Sequence, residues 1–222
     1  MESHTMPPES SAAPGAPSAV EKITLVCCQT TTLEFADTTL TIEMSDENMR
    51  ISKGGADAIN IVLKDQKVPY KLNILGSVVL EEQKLGDMDY ADYFSVNWED
   101  EFSAPVIVFK KPPLRIARVY TKGQRIELGI ENVAGYRVEY SDGVVANFDR
   151  KSNGGFEFSF STGFYGNFAP GDDGSYTLTF KGDKLRPDEE EYRSQSKFIV
   201  SRSKYTGNML LILEEDAIVE IK

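Results

Sequence analysis

Histidine is almost missing from this chain of 222 residues; the single one is His4. Serine and cysteine nucleophiles usually need a positioned base, most often histidine. Zinc sites likewise draw on clusters of histidine and cysteine. Cysteine is equally scarce, with only the adjacent pair Cys27 and Cys28, so an extracellular disulfide scaffold is excluded. Neighbouring side chains on a strand point to opposite faces; one thiol is therefore expected in the core and the other in solvent. A bond between the two would distort the backbone. Bases are outnumbered, 24 Lys and Arg against 35 Asp and Glu for a formal charge of −11. Nucleic acid selects surfaces rich in Lys and Arg, so it is not an expected partner. No apolar run approaches the roughly 18 residues that span a bilayer, and no membrane insertion is expected. A basic-then-apolar leader is also missing, which makes the cytoplasm the expected compartment. Neither GxxxxGK[ST] nor a strand-linked GxGxxG occurs, removing P-loop hydrolases and dinucleotide-dependent oxidoreductases. An enzyme here would have to work with carboxylates, lysine or tyrosine, and no cofactor is expected.

What the chain does contain is a succession of short β-forming runs. Residues 1–18 are rich in Pro, Ala and Ser, hold almost nothing to bury, and are expected to be a disordered tail. Strands are expected at Ile23–Cys28, Thr38–Met44, Ala58–Leu63, Tyr70–Leu80 and Pro105–Phe109. Lys110-Lys111-Pro112-Pro113 then interrupts the pattern, because two prolines cannot sit inside a central strand. The break divides the chain into an acidic β domain, 19–112, and a β-sandwich domain, 113–222. In the second part, strands are expected at Arg115–Tyr120, Arg125–Ile130, Tyr136–Tyr140, Val144–Phe148, Ser175–Phe180, Lys197–Ser201, Met209–Leu213 and Ala217–Ile221. Phe156, Phe158 and Phe160 alternate with Glu157, Ser159 and Ser161, the signature of a half-buried strand. The best helix is Asp188–Gln195, where Pro187 suits a first turn followed by acids. No internal repeat stands out.

Two kinds of residue could form a site. Asp87, Asp89 and Asp92 fall within six residues, a density of oxygen ligands that a calcium ion could use. The stretch does not match the EF-hand template, and a solvated acidic loop is the plainer reading. Tyr90, Tyr93 and Trp98 crowd the same region, while Phe164, Tyr165 and Phe168 punctuate a glycine-containing segment. Exposed, such rings suit a protein contact or the stacking of sugars; buried, they are ordinary core. Further on, Arg193, Lys197, Arg202 and Lys204 alternate with aromatics directly after the acids Asp188–Glu191, and local ion pairing is the simplest account of them.

Asp172-Asp173-Gly174-Ser175-Tyr176 reads D-x-G-x-Y, which resembles the turn before strand F of immunoglobulin-like domains. Gly123–Leu128 is similar to the approach to strand B, and Tyr136–Asp142 can stand as strand C. The resemblance covers about residues 113–185. Leu178 stands where the second cysteine would fall, and no tryptophan marks strand C. It implies a disulfide-free sandwich acting as a contact module. The expected fold is therefore all-β, with two sandwich-like domains, or alternatively one large β-sandwich or barrel. The expected function is a non-catalytic protein-binding or structural assembly component, with a protein partner or self-association. Carbohydrate binding and a carboxylate-dependent hydrolase are the alternatives.

Overall fold

Alternation of apolar and polar residues builds the strands that make up most of the described residues. The computed structural model describes residues 20–45, 48–53, 57–62, 90–97, 104–180, 183–184 and 190–222. Asp87, Asp89, Trp98 and the strand expected at Tyr70–Leu80 lie outside those residues, as does the N-terminal tail. Among the described residues there are eighteen strands, one short α-helix and a 3-10 turn at Tyr90–Asp92. The strands pair antiparallel into three sheets of three, twelve and three strands. The all-β expectation holds.

The first half supplies β1 (Lys22–Thr24), β2 (Thr30–Glu34), β3 (Thr39–Met44), β4 (Asn48–Lys53), β5 (Asp57–Val62), β6 (Phe94–Asn97) and β7 (Val106–Phe109). Strands β2 to β5 follow one another as neighbours, while β1, β7 and β6 form a separate small sheet. Leu33, Leu40, Ile42, Met44, Met49 and Ile51 point inward and are buried with Ile23, Leu25 and Ile107. Ring contacts of Phe35 with Tyr93 at 4.8 Å and with Phe109 at 6.4 Å fasten the small sheet to the end of β2. One local expectation fails here. Strand β1 stops at Thr24, and Cys27 and Cys28 sit in the turn beyond it, both exposed. Neither thiol belongs to the core, because the chain must reverse between β1 in one sheet and β2 in another.

Pro112 and Pro113 do fall between strands, ahead of β8 (Arg115–Tyr120). The main sheet nevertheless runs past them: β2 pairs with β8 over five rungs, from Thr30↔Val119 to Glu34↔Arg115. The second half continues with β9 (Arg125–Leu128), β10 (Gly135–Tyr140), β11 (Val145–Arg150), β12 (Phe156–Phe160), β13 (Tyr165–Pro170), β14 (Tyr176–Phe180) and β15 (Asp183–Lys184). After α1 (Glu190–Ser196) come β16 (Phe198–Arg202), β17 (Met209–Leu213) and β18 (Ala217–Ile221). The order of the twelve-stranded sheet is β15-β14-β13-β12-β11-β10-β18-β8-β2-β3-β4-β5, and β16, β17 and β9 make the third sheet.

From β10 to β14 the chain is a meander of hairpins. Val138, Phe148, Phe158, Phe168 and Leu178 recur at ten-residue intervals and are all buried. Each interval is one strand plus one tight turn, and the turns hold Gly143, Gly154, Gly163 and Gly174 at positive φ, which glycine adopts without steric cost. The spacing keeps the even-numbered residues of these strands on the inner face, while the turns between them stand in solvent. Phe198 from β16 meets Phe148 at 5.6 Å and Phe158 at 5.9 Å, and Tyr192 of α1 meets Phe198 at 5.7 Å. This aromatic face is therefore roofed by the helix and the third sheet. Gly166 is required by packing: a Cβ there would lie 2.1 Å from the Thr179 carbonyl oxygen and 2.5 Å from the Phe158 ring.

The D-x-G-x-Y segment is one of these hairpin turns. It joins β13 to β14, neighbours in one sheet with Pro170 opposite Tyr176, and the Ser175 amide donates to the Asp173 carboxylate at 3.0 Å. In an immunoglobulin domain the corresponding corner links strands of opposing sheets. What stands is a multi-sheet, sandwich-like β architecture rather than a specific immunoglobulin match.

Where the halves meet, β8 turns Arg118 inward. Its guanidinium pairs with Glu131 at 2.8 Å and donates to the Thr24 carbonyl at 2.7 Å, with both side chains at most 5% exposed. Tyr136 donates its hydroxyl to the other Glu131 oxygen at 3.0 Å and accepts from the Gly129 amide. Burial disfavours the charged guanidinium, but the neighbouring Glu131 carboxylate outweighs it and keeps Arg118 ionised.

Candidate functional site

The inner face of the main sheet is packed, so its chemistry is presented on the outer face. Register determines which residues meet there. One row runs across the sheet through Thr30, Val119, Ile218, Glu139 and Val145. A second runs through Thr32, Ala117, Glu220, Arg137, Asn147, Ser159 and Tyr165. A third sets Asp149, Glu157, Asn167 and Thr179 side by side on four successive strands.

Near the meander's end, Asp149, Glu157, Ser159, Tyr165, Asn167 and Thr179 line an open depression of about 360 Å³, with Gly166 and Phe158 in its floor. Tyr165 is 55% exposed and supplies the one large ring of the lining that faces solvent. Glu157 is ion-paired with Lys151 from the preceding hairpin turn. A ring face beside two carboxylates, an amide and two hydroxyls can stack against, and hydrogen-bond to, a polyhydroxylated ligand.

The middle of the sheet differs. Val119 and Ile218 are direct cross-strand partners, 49% and 42% exposed. Charged pairs surround them: Arg115–Glu220 at 3.1 Å and Arg137–Glu139 at 2.8 Å. Lys222 donates to Asn147 at 2.6 Å from the next rung. Arg115, Arg137 and Lys222 balance Glu34, Glu139 and Glu220 on this patch, so it is locally neutral on a chain of charge −11.

Of the aromatics picked out in the sequence, Tyr90, Tyr93, Phe164 and Phe168 have their rings in the core. Tyr93 donates its hydroxyl to Asp37 at 3.0 Å, and burial, reinforced by that carboxylate, pushes its pKa up. A buried ring offers no face to a ligand, so Tyr165 alone among the described candidates reaches the surface. Asp92 is exposed on the 3-10 turn. Among the described residues, no three His, Cys, Asp or Glu side chains gather as a metal site, and no helix is long and apolar enough to cross a membrane.

Within the basic stretch of residues 193–204, Lys197 finds its carboxylate partners outside the acids directly before it. Lys197 ends α1 at φ 57, a left-handed C-terminal cap, and ion-pairs with Asp142 and Glu215. Burial works against its charge, but these two carboxylates outweigh it and raise its pKa. Asp142 is correspondingly lowered, chiefly by its hydrogen bond from Lys197. Arg202 donates to the Gly207 carbonyl at 2.7 Å.

The residues that sequence reasoning missed are Asp149, Glu157, Asn167, Val119 and Ile218. Each occupies an outward position of an alternating strand, a signal present in the sequence. Comparison with known protein families, with curated proteins and with solved structures returns no match.

Proposed function

We propose that the protein is a non-catalytic structural assembly component that associates through the outer face of its main sheet, with a second copy of itself as the first partner. The observation that carries this reading is the exposed Val119–Ile218 pair at the centre of a locally neutral, ion-paired patch. A chain of charge −11 repels its own copies over most of its surface, so a neutral patch with an apolar centre is the favoured meeting place. Apolar centres with charged rims are the usual anatomy of protein contacts. Two exposed thiols not joined in a disulfide fit a reducing compartment such as the cytoplasm.

Sedimentation velocity over a wide concentration range tests the proposal. The parent chain is expected to self-associate, and Ile218→Glu and Val119→Glu are expected to remain monomeric with unchanged circular dichroism. A parent chain that stays monomeric at every concentration removes the self-association reading.

A second reading, carbohydrate binding, is favoured by the depression under Tyr165. It predicts glycan-array binding that Tyr165→Ala abolishes while leaving the sedimentation behaviour unchanged. An array on which the parent chain binds nothing removes it.

A further inference from the structure

The turn between β1 and β2 places two thiols in contact. Its ends are fixed: the Leu25 amide donates to the Pro105 carbonyl at 2.8 Å, and the Gln29 carbonyl accepts from the Met44 amide at 2.9 Å. Leu25 and Gln29 are both buried, while the intervening Cys27 and Cys28 are exposed. Cys28 has φ 63, a left-handed conformation that is unfavourable for a residue carrying a Cβ. Such backbone outliers concentrate at sites where geometry matters to function. Here the outlier brings the two Sγ atoms to 2.8 Å.

We propose that Cys27 and Cys28 form a reversible oxidation site, in which a hydroperoxide oxidises one thiol and the other closes on it as a vicinal disulfide. In the first step the attacked peroxide oxygen transfers to sulfur: thiol and hydroperoxide become sulfenic acid and alcohol, or water when the oxidant is hydrogen peroxide. In the second step the neighbouring thiol attacks the sulfenic sulfur; the S–O bond breaks, the S–S bond forms, and water leaves. The pair loses two electrons and two protons in all, and the peroxide O–O bond accepts the electrons. An accessible thiol with a resolving thiol beside it is the arrangement that diverts a sulfenic acid into a disulfide before further oxidation. Consecutive Cα atoms lie about 3.8 Å apart across a trans peptide, closer than the roughly 4.4 Å at which ordinary disulfides begin. The closed ring is therefore strained, and strained, exposed disulfides are readily reduced. The site is suited to cycling rather than to permanent cross-linking.

The full chain, treated with a small molar excess of hydrogen peroxide and then with iodoacetamide, tests this by intact mass and peptide mapping. The expected product carries no covalent link between chains, is lighter by two hydrogens, refractory to alkylation at both cysteines, and restored to double alkylation by dithiothreitol. Cys27→Ser and Cys28→Ser each remove the resolving partner without disturbing the core. In both, the remaining thiol is expected to gain oxygen atoms, or to stay alkylatable, with no loss of hydrogens. Parent chain that still takes up two alkyl groups after peroxide, gains oxygen, or forms covalent dimers overturns the proposal.

Discussion

The two halves of the main sheet use the same alternation with different side chains. Strands β2 to β4 bury Leu33, Leu40, Ile42, Met44, Met49 and Ile51, an aliphatic face. Strands β10 to β14 bury Tyr136, Tyr140, Phe148, Phe156, Phe158, Phe160, Phe168 and Phe180 beside Val138, Ala146 and Leu178, a mainly aromatic one. Volume accounts for what lies above each. The aromatic face gathers a closely packed set of rings with Phe198 and Tyr192, and it leaves room for a glycine, Gly166, beneath Phe158. Between the halves, β8 joins both: Arg118 inside and Val119 outside are consecutive residues at the junction.

The largest expected effects come from the aromatic half and the junction. Phe158→Ala should cost about 3–5 kcal/mol, whereas Ile42→Val in the aliphatic half should cost about 0.5–1.5 kcal/mol. Urea unfolding of both variants measures the difference; equal losses would mean that the rings pack no more critically than the aliphatic residues. At the junction, Arg118→Met leaves the Glu131 carboxylate buried without its cation and should cost about 3–5 kcal/mol. The double variant Arg118→Met/Glu131→Leu should recover most of that, since a buried pair is often replaceable by apolar side chains. If the double variant is as unstable as the single one, the pair contributes in its own right.

Alkaline titration separates the halves next. Burial raises the pKa of Tyr136, Tyr140 and Tyr192, in each case as the leading cause. The folded state therefore holds these protons after the unfolded chain has released them. Their stabilisation is complete below the ordinary tyrosine value near pH 10 and is lost as pH rises above it. The loss amounts to about 1.4 kcal/mol per group for each pH unit. Chemical denaturation at stepped alkaline pH should show that slope, and Tyr140→Phe should reduce it by one group's share. A slope that Tyr140→Phe leaves unchanged would place that hydroxyl in a solvated setting. The smallest effect belongs to the hairpin turns. Gly143→Ala meets no atom within 4 Å, so its cost is the positive φ alone, about 1 kcal/mol, readable as a shift in denaturation midpoint.

The halves also differed in how far the sequence could be read. Phe156 to Phe160 announced β12, because each polar residue between the rings faces solvent. Strand β13 went unrecognised, since Gly166 and Pro170 hide the alternation of Tyr165 to Pro170. Following Phe148, Phe158 and Phe168 at ten-residue steps would have revealed it. Cys27 and Cys28 were expected on a strand because β-forming residues precede them, yet the chain must turn there to change sheets. Outward residues such as Glu157 and Asn167 could be assigned to the solvent face. That they share a row with Asp149 could not, since turn length sets the register and one residue more or less moves every partner.

The same reasoning locates the functional claim at the junction, where β8 and β18 expose Val119 and Ile218. Sedimentation velocity of the parent chain beside Ile218→Glu tests it most directly. The account predicts a concentration-dependent assembly that the substitution reduces to monomer without altering the fold. Identical sedimentation of the two chains, whether both assemble or both remain monomeric, would contradict it.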